Sequence, residues 1–436
     1  MKRFLLICYY WPPVGGAGVQ RWLKMTKYLP DLGWTPVIYT PDFSESMEKD
    51  ESLLKELHPD LTEIRQPIWE PYDVYKRFTG KKKSEKVYSG FIQEGKKPSL
   101  THQLSVFIRG NFFIPDARRF WIKPSISFLK KYLKENPVDV IISTGPPHSM
   151  HMIAMGVKKH FPEIPWIADF RDPWTEIDFY HHLKLTKWAD RKHRKLERMV
   201  LEQADEIVTV SPTWVKDFKR LSGGREVSLV YNGYDTADVN AAPSALDEEF
   251  SIVHVGSMNP DRNPKALWKA LGDMVKQNME FSNKLRIRLI GQVDASIVGS
   301  ILENGLEENL EKRDFIPHGE VMSLLQRSQL LLLPINNVPH ANGMLPIKLY
   351  EYLGASRPIF AIGPKESDAQ LIIKEAGAGY YFHYDDSTEI RNAITQVFTD
   401  YQSGKLQVNP RGVERFSRKK LAGDYAEILK KITVTP

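Results

Sequence analysis

The sequence predicts an α/β fold made of two doubly wound, Rossmann-like domains that face each other across a cleft. Short apolar runs typical of strands alternate with helical patterns, and they do so in two separate series. Such alternation is typical of parallel sheets covered by helices on both faces. The chain has 436 residues, more than one hydrophobic core usually holds. Ligands of open α/β sheets bind at the carboxyl ends of the strands, so we expect the functional residues in the loops that follow them.

The first series begins with the strand Arg3–Tyr9, a loop at Val14–Gly18 and a helical pattern over Val19–Leu32. Glycines in such a loop let the backbone come close to a ligand. Residues 43 to 135 are patterned less regularly. The remaining strands of this series are predicted at Thr35–Thr40, Val138–Ser143, Pro165–Asp169, Glu206–Val210 and Val227–Tyr231, and its remaining helices at Ser149–Lys159 and Leu183–Ala204.

The second series follows a stretch rich in Ala, Asp and Ser, residues 236–248, that has no clear periodicity and is interpreted as a linker. The predicted domains are therefore residues 1–235 and 249–412. The strands of the second series are predicted at Phe250–Val255, Leu285–Ile290, Asp314–Pro317, Leu330–Pro334, Pro358–Ile362 and Gly379–Phe382.

Composition narrows the class of protein. Hydrophobic residues make up 42% of the chain, charged residues 26%, and the formal net charge is +6. The single cysteine, Cys8, rules out an internal disulfide and is expected to be buried in the first strand. No stretch approaches the roughly 20 apolar residues of a membrane span. These features predict a cytoplasmic protein.

Basic residues are clustered at Lys81–Lys83, at Lys96–Lys97 and between Arg118 and Lys131. They lack the fold cues of nucleic-acid binders, so no nucleic-acid partner is expected. Solvated surfaces are one interpretation. The other is weak contact with anionic lipid on the inner face of the cell membrane.

The segment Gly343–Gly354 follows the buried strand Leu330–Pro334 and combines a glycine-bearing loop with a helix. Pro346 suits the first helical turn, where a missing N–H costs nothing. Lys348 and Glu351 lie three residues apart, on one face of that helix. Backbone N–H groups and the helix dipole can hold phosphate, and the carboxylate can accept ribose hydroxyls. The alternative is an ordinary strand–loop–helix with a surface ion pair.

Arg262 follows the first strand of the second domain and is placed to clamp a phosphate together with Lys348. A surface arginine is the alternative. Side chains with metal-ligand spacing are not found, so no metal site is expected. No cofactor is expected either.

In the first domain, Gly15–Gly18 is not the spaced dinucleotide fingerprint. The loop can still bring backbone N–H groups to a hydroxyl or phosphate, and Gln20 and Arg21 can add contacts to an anion. A flexible turn is the alternative.

Two further loops follow strands of the first domain. His148 and His151 can accept a proton from an acceptor hydroxyl or bond a sugar. Arg171 and Asp172 can bind sugar hydroxyls or form a salt-bridged loop, whereas Asp169 is expected to face inward.

Taken in order, these motifs resemble one known group over nearly the whole chain: the retaining nucleotide-sugar glycosyltransferases of the GT-B fold, most closely glycosyltransferase family 4. The segments that carry the resemblance are Tyr10–Pro13 with Gly15–Arg21, Gly145–Pro147 with His151, Asp169–Trp174, Val210–Pro212, Tyr231–Asp235, Pro346–Leu353 and the terminal segment from Phe416.

The resemblance implies that the second domain binds a nucleotide-diphosphate sugar, with a UDP- or GDP-linked donor favoured, and that the first binds a glycan or lipid-linked acceptor. It also implies that residues 413–436 form a helix crossing back to the first domain. The implied catalytic residues are His148, His151, Arg262 and Lys348. The implied donor-binding residues are Gly16, Gly18, Arg262, Asn342, Gly343, Met344, Leu345, Lys348 and Glu351. The acceptor-binding residues would be Gln20, Arg21, Arg171 and Asp172.

The family usually has two glutamates seven residues apart; the second matches Glu351, but the first position is Gly343. Asn342 or backbone N–H groups are expected to replace it. Ser257 stands at the arginine position of the family's basic pair, and Arg262 at the lysine position.

The leading hypothesis is a retaining, metal-independent glycosyltransferase of cell-surface polysaccharide or lipopolysaccharide synthesis. A sugar-nucleotide epimerase of the same fold, and a catalytically silent subunit of an assembly complex, are the alternatives.

Overall fold

The computed structural model describes residues 1–42, 49–70, 100–239, 245–313, 316 and 318–434. Contacts divide the chain into two units. One comprises the described residues up to Asn232 together with those from Arg418 onward, and the other runs from Gly233 to Ser417. The basic clusters at 81–83 and 96–97 lie outside the described residues, as does part of the predicted linker.

Within the described residues, the first unit has a parallel sheet of seven strands in the order β3-β2-β1-β4-β5-β6-β7. The strands are β1 Lys2–Ile7, β2 Trp34–Asp42, β3 Thr62–Pro67, β4 Val140–Gly145, β5 Trp166–Phe170, β6 Glu206–Thr209 and β7 Ser228–Leu229. The helices of this unit are α1 Ala17–Tyr28, α2 Leu100–Phe112, α3 Ile122–Glu135, α4 Ser149–Lys158, α5 Lys187–Gln203, α6 Pro212–Leu221 and the terminal helix, labelled α15, Arg418–Val434.

The second unit has a parallel sheet whose described strands run in the order β10-β9-β8-β11-β12-β13. They are β8 Phe250–Val255, β9 Leu285–Ile290, β10 Leu310–Arg313, β11 Leu330–Pro334, β12 Ile359–Gly363 and β13 Gly379–His383. The helices are α7 Thr236–Val239, α8 Lys265–Gln277, α9 Met279–Lys284, α10 Ala295–Glu303, α11 His318–Arg327, α12 Ile347–Ala355, α13 Asp368–Ala376 and α14 Ser387–Gln402. The two sheets confirm the predicted α/β fold.

The first strand shows why its sheet is buried on both sides. Leu5 packs into the hydrophobic cluster on one face, and Phe4 and Leu6 pack into the cluster on the other. Successive side chains of a strand point to opposite faces, so a continuous apolar run is what a doubly covered strand requires. Cys8 is buried as expected, directly after the strand.

The terminal helix α15 returns to the first unit, as the resemblance implied. Its buried residues Leu421, Tyr425 and Leu429 belong to the same cluster as Phe4. The Tyr425 ring lies 5.1 Å from the Trp22 ring in an edge arrangement. This helix therefore completes the cover on one face of the first sheet.

Some predicted boundaries were wrong for identifiable reasons. Helix α1 ends at Tyr28 because Pro30 lacks the N–H that a continuing helix needs, and Pro30–Leu32 forms a separate 3-10 turn. Helix α5 begins at Lys187 because the Thr186 side chain caps it by accepting a hydrogen bond from Ala189 N.

The second unit departs from prediction at two points. Helix α12 begins at Ile347, which places Pro346 at the residue before it. The strand predicted at Asp314–Pro317 falls largely outside the described residues, and β10 occupies the positions just before it.

Candidate functional site

The second unit presents a cationic site at the end of β8. The strand leads into Gly256, whose φ of +111° lies in the left-handed region. The side chain of Lys348, from the first turn of α12, lies against this glycine. A Cβ built on Gly256 would be 2.3 Å from Lys348 Cε and 2.5 Å from Nζ. The backbone angle therefore favours glycine, and a larger residue would also have to displace the end of the Lys348 side chain.

Helix α12 is anchored to the strand ends by Tyr352. The Tyr352 hydroxyl accepts a hydrogen bond from Val255 N at 3.3 Å and donates to the Leu332 carbonyl at 3.4 Å. Lys348 precedes Tyr352 by four residues and so projects from the same face of the helix. The sequence thereby directs the Lys348 side chain to the end of β8.

A second cation, Arg262, comes from the loop after β8. Its Nη1 donates to the Ser257 carbonyl at 3.2 Å, and its Nε donates to Asn336 Oδ1. Burial, and after it the charge of Arg262, lower the pKa of Lys348 to about 8 against the opposing charge of Glu351. Because the charges of Lys348 and Arg262 repel each other, an anion such as phosphate beside both side chains would offset the repulsion.

His254 lies beneath these cations on β8. Its Nδ1–H donates to the Leu332 carbonyl at 3.0 Å, and the side chain is buried. Desolvation, followed by the charge of Lys348, lowers the pKa of His254 to about 3. The neutral imidazole therefore fills the space below the site without adding a third positive charge.

The loop before α12 holds the other donor-binding residues that the resemblance implied. Gly343 is buried and ends a 3-10 turn, and the Asn342 amide donates to the Lys365 carbonyl at 2.8 Å. Leu345 is buried, whereas Met344 and Glu351 are half-buried. The structure thus brings Arg262 and Lys348 together. The Asn342 amide nitrogen is hydrogen-bonded to Lys365, in the loop after β12.

In the first unit, the glycine loop lies at the carboxyl end of β1. Gly16 has a φ of +94° and precedes α1, which lacks a side-chain cap. A Cβ on Gly18 would lie 2.9 Å from the Tyr10 ring and 3.3 Å from Arg171 Nη1. Arg171 donates to the Gly18 carbonyl at 2.9 Å and to the Pro146 carbonyl at 3.3 Å. Arg171 therefore ties together two of the loops in which acceptor contacts were predicted.

Arg21 is buried beneath that loop. Its Nε and Nη2 donate to the two oxygens of Asp169 at 3.1 Å and 2.8 Å, and its Nη1 donates to the Val230 and Tyr231 carbonyls. Asp169 is fully buried, as expected. The structure thus gives Arg21 a structural ion pair. Gln20 is half-buried, and Asp172 lies 3.4 Å from Arg171 Nε.

His148 and His151 both turn toward Gly145. A Cβ on that glycine would lie 2.6 Å from His151 Nε2 and 2.9 Å from His148 Nδ1. Neither nitrogen has a hydrogen-bond partner in the described part of the chain. Burial lowers the pKa of His151 to about 3, and burial lowers the pKa of His148 well below its usual value. Neutral rings of such weak basicity are poorly suited to proton abstraction, and both unpaired nitrogens are buried.

Sequence reasoning missed the residues that hold His148 in place. Trp174 stacks on His148 with ring centroids 4.7 Å apart, and its Nε1 donates to His193 Nδ1 at 3.0 Å. Buried Glu197 accepts hydrogen bonds from Trp174 N at 3.2 Å and Thr175 N at 3.3 Å. His193 and Glu197 come from α5, whose sequence is typical of a solvated basic helix. The local sequence pattern therefore does not indicate their contacts with Trp174.

The described residues contain no cluster of three potential metal ligands. None of the helices in the described ranges is both long and apolar enough to cross a bilayer.

Two protein-family models match the chain, in agreement with its two-unit α/β fold. The model of Glycosyltransferase Family 4 matches residues 90–238, and the model of Glycosyl transferases group 1 matches residues 237–410. No curated protein sequence matches the chain significantly.

Solved structures resemble the chain over its whole length. Sucrose-phosphate synthase from Thermosynechococcus elongatus has a TM-score of 0.64 at 14% identity and covers 100% of both chains. HepE from Anabaena, solved with UDP-glucose, has a TM-score of 0.60 at 13% identity, covering 99% of this chain and 100% of its own. WaaG, a glycosyltransferase involved in lipopolysaccharide biosynthesis, has a TM-score of 0.57 at 13% identity, covering 98% of this chain and 99% of its own.

The two parallel-sheet units, matched across their length by these structures, define the two-domain α/β class called GT-B. Within that class, the two family models identify the chain as a glycosyltransferase similar to those of family 4 and group 1.

Proposed function

We propose that this glycosyltransferase moves a sugar from a nucleotide-diphosphate donor to a glycan or lipid-linked acceptor. The observation that carries the proposal is the pair Lys348 and Arg262 at the end of β8, where the pKa of Lys348 is lowered to about 8. A diphosphate placed there would pair with both cations and with the backbone N–H groups at the start of α12.

The same cations would serve the reaction. Breaking the bond between the anomeric carbon and the donor phosphate leaves negative charge on the diphosphate, and fixed cations stabilise that charge most as it develops. The acceptor oxygen forms the new bond to the anomeric carbon, and its proton passes to the departing phosphate oxygen. This course retains configuration and requires no metal ion. Glu351 would accept the ribose hydroxyls.

The first unit supplies the acceptor contacts in this proposal. Asp172 and the backbone near Gly16 and Gly18 would hydrogen-bond sugar hydroxyls. The buried, unpaired nitrogens of His148 and His151 would do so once acceptor binding exposes them. Arg171 would hold the loops that carry them.

Two of the structurally similar proteins support the choice of donor and pathway. HepE was solved with UDP-glucose, and WaaG is involved in lipopolysaccharide biosynthesis. We therefore place this chain in cell-surface polysaccharide or lipopolysaccharide synthesis in the cytoplasm, with a UDP- or GDP-linked donor favoured.

A donor screen tests the proposal. Purified protein is incubated with UDP-, GDP- and ADP-sugars and with soluble or lipid-linked acceptors, and nucleotide release is measured. Glu351→Ala should lower acceptor-dependent release at least tenfold. Glu375→Ala is the matched control, since Glu375 forms an exposed ion pair with Arg415 in the same unit. Release from no donor, or equal release by Glu351→Ala, would contradict the proposal. Conversion of the donor sugar without an acceptor would indicate an epimerase instead.

A further inference from the structure

The inward side of helix α5 carries two polar residues where apolar ones would be expected. The residues on this side are spaced by four and are buried: Ala189, His193, Glu197 and Leu201. Glu197 is only 2% exposed. A carboxyl group in such a place has lost its hydration, and hydrogen bonds within the protein must offset that cost. The hydrogen-bond partners of Glu197 therefore show what this helix stabilises.

The donors to Glu197 belong to the loop that follows β5. Trp174 N and Thr175 N donate to Glu197 Oε1 at 3.2 Å and 3.3 Å, and the Thr175 hydroxyl donates to Oε2. His193, one turn earlier on the helix, accepts from Trp174 Nε1 through its Nδ1 at 3.0 Å. Its Nε2–H then donates to the Gly110 carbonyl at 3.4 Å. Helix α5 thus fixes both the backbone and the indole ring at the far end of this loop.

The near end of the loop is fixed by its neighbours at the carboxyl edge of the sheet. Arg171 N donates to the Gly145 carbonyl at 3.1 Å, and the Arg171 guanidinium donates to the Gly18 carbonyl at 2.9 Å. Asp172 lies between the two anchored ends. Its side chain is 35% exposed, whereas the three residues after it are buried. The loop is therefore held so that it presents the Asp172 carboxylate.

We propose that Glu197 is a positioning residue for acceptor binding, which holds the loop 171–175 so that the Asp172 carboxylate meets hydroxyls of the acceptor. The inference rests on the proposed function, in which the first unit binds the acceptor. Glu197 itself does not touch the substrate, because it is buried beneath the loop. Its effect passes through Asp172, since a carboxylate hydrogen-bonds sugar hydroxyls well only when its place and orientation are fixed.

Steady-state kinetics of the full-length protein, with the donor and acceptor found in the screen, test the inference. Glu197→Ala should raise the KM for the acceptor about tenfold or more and leave the KM for the donor unchanged. Glu197→Gln keeps an oxygen that can accept from both backbone N–H groups, so it should restore most of the acceptor affinity. Thr175→Val removes one hydrogen bond and should raise the acceptor KM by less than Glu197→Ala does. Glu202→Ala is the control, an exposed position on the same helix.

A double-mutant cycle separates positioning from general destabilisation. Asp172→Ala should also raise the acceptor KM, and Glu197→Ala added to it should raise that KM little further, because the two residues act through one loop. Urea denaturation shows whether each variant is folded at the assay temperature. If Glu197→Ala is not, Thr175→Val takes its place in the cycle and in the comparison with the control.

The possible failures are distinguishable. Nucleotide release from no donor by the unmodified protein would contradict the proposed function and this inference with it. Transfer by the unmodified protein, with the acceptor KM unchanged in the folded Glu197 and Thr175 variants, would overturn this inference alone. Equal increases in the KM for donor and acceptor, or effects of Glu197→Ala and Asp172→Ala that simply multiply, would also overturn it, because they would give Glu197 a general structural role.

Discussion

The Lys348 side chain lies directly on the backbone of Gly256. A Cβ at residue 256 would be 2.3 Å from Lys348 Cε. The glycine therefore determines where the ammonium group of the proposed diphosphate site can lie. It also admits the left-handed backbone angle that turns the chain away from β8.

Gly256→Ala should weaken nucleotide binding about tenfold, or ~1.4 kcal/mol, because the methyl group displaces Lys348. Titration calorimetry with UDP and GDP measures the change. Gly299→Ala in helix α10 is the control, since a Cβ there meets nothing within 4 Å. That control should keep affinity and gain roughly 0.5–1 kcal/mol of stability. Equal affinity in both variants would show that Lys348 does not contact the nucleotide.

Gly145→Ala should disable the first unit's histidine pair. The new methyl group would lie 2.6 Å from His151 Nε2, so at least one ring must move. A displacement of this size should lower kcat/KM about 100-fold. Steady-state kinetics with the donor found in the screen gives the value. Gly423→Ala in helix α15, with open space at its Cβ, should leave kcat/KM unchanged. A fully active Gly145→Ala enzyme would remove both histidines from the reaction.

Asp169→Asn should destabilise the first unit, because it leaves the buried guanidinium of Arg21 without a counter-charge. The expected loss in free energy of unfolding is about 3–5 kcal/mol. Urea denaturation measures it. The matched control is Asp424→Asn, which removes an exposed ion pair with Lys420 and should cost at most about 0.5 kcal/mol. Equal losses in the two variants would contradict a structural role for the Arg21–Asp169 pair.

Glu197→Gln should flatten the dependence of stability on pH. Burial raises the pKa of Glu197 from 4.5 to about 7 in the folded protein. Between these values the folded protein holds a proton that the unfolded chain has lost, so stability falls as pH rises through this window and is level above it. From pH 5 to pH 8, the free energy of unfolding should therefore fall by on the order of 2 kcal/mol less in the variant than in the unmodified protein. Urea denaturation at both pH values measures this difference. The control is Glu202→Gln, an exposed position on the same helix. Parallel dependences of stability on pH in all three proteins would contradict the prediction.

Much of the fold follows from the sequence because parallel strands buried on both faces leave continuous apolar runs. Strands β8, β9 and β11 have the predicted bounds. Strand β3 and helices α2 and α3 were not predicted. Strand β3 is mostly polar, with Ile64 as its single aliphatic residue, and is mostly half-buried, so it lacks the continuous apolar run that marks the central strands.

The candidate site was predictable only where it lies within one segment. The spacing in α12 placed Lys348 correctly in the first turn, and the loop after β8 gave Arg262. The contact of Lys348 with Gly256 joins residues 92 positions apart (348 − 256), and no local pattern encodes it. The same holds for Glu197, which reaches Trp174 from a helix whose exposed residues are mostly basic.

Proton uptake on nucleotide binding tests the central proposal most directly. Because the pKa of Lys348 is lowered to about 8, a bound diphosphate should raise that pKa and draw in protons near pH 8. Affinity should therefore fall as pH rises above 8. Calorimetry of UDP and GDP binding in two buffers of different ionisation enthalpy measures the uptake. For the unmodified protein we expect the uptake of a clear fraction of a proton per bound nucleotide. Lys348→Met should abolish this uptake and weaken nucleotide binding at least tenfold. Lys374→Met should keep both the uptake and the affinity. No binding of UDP, GDP or ADP, or the same affinity and proton uptake in Lys348→Met, would contradict the assignment of this site to the donor diphosphate.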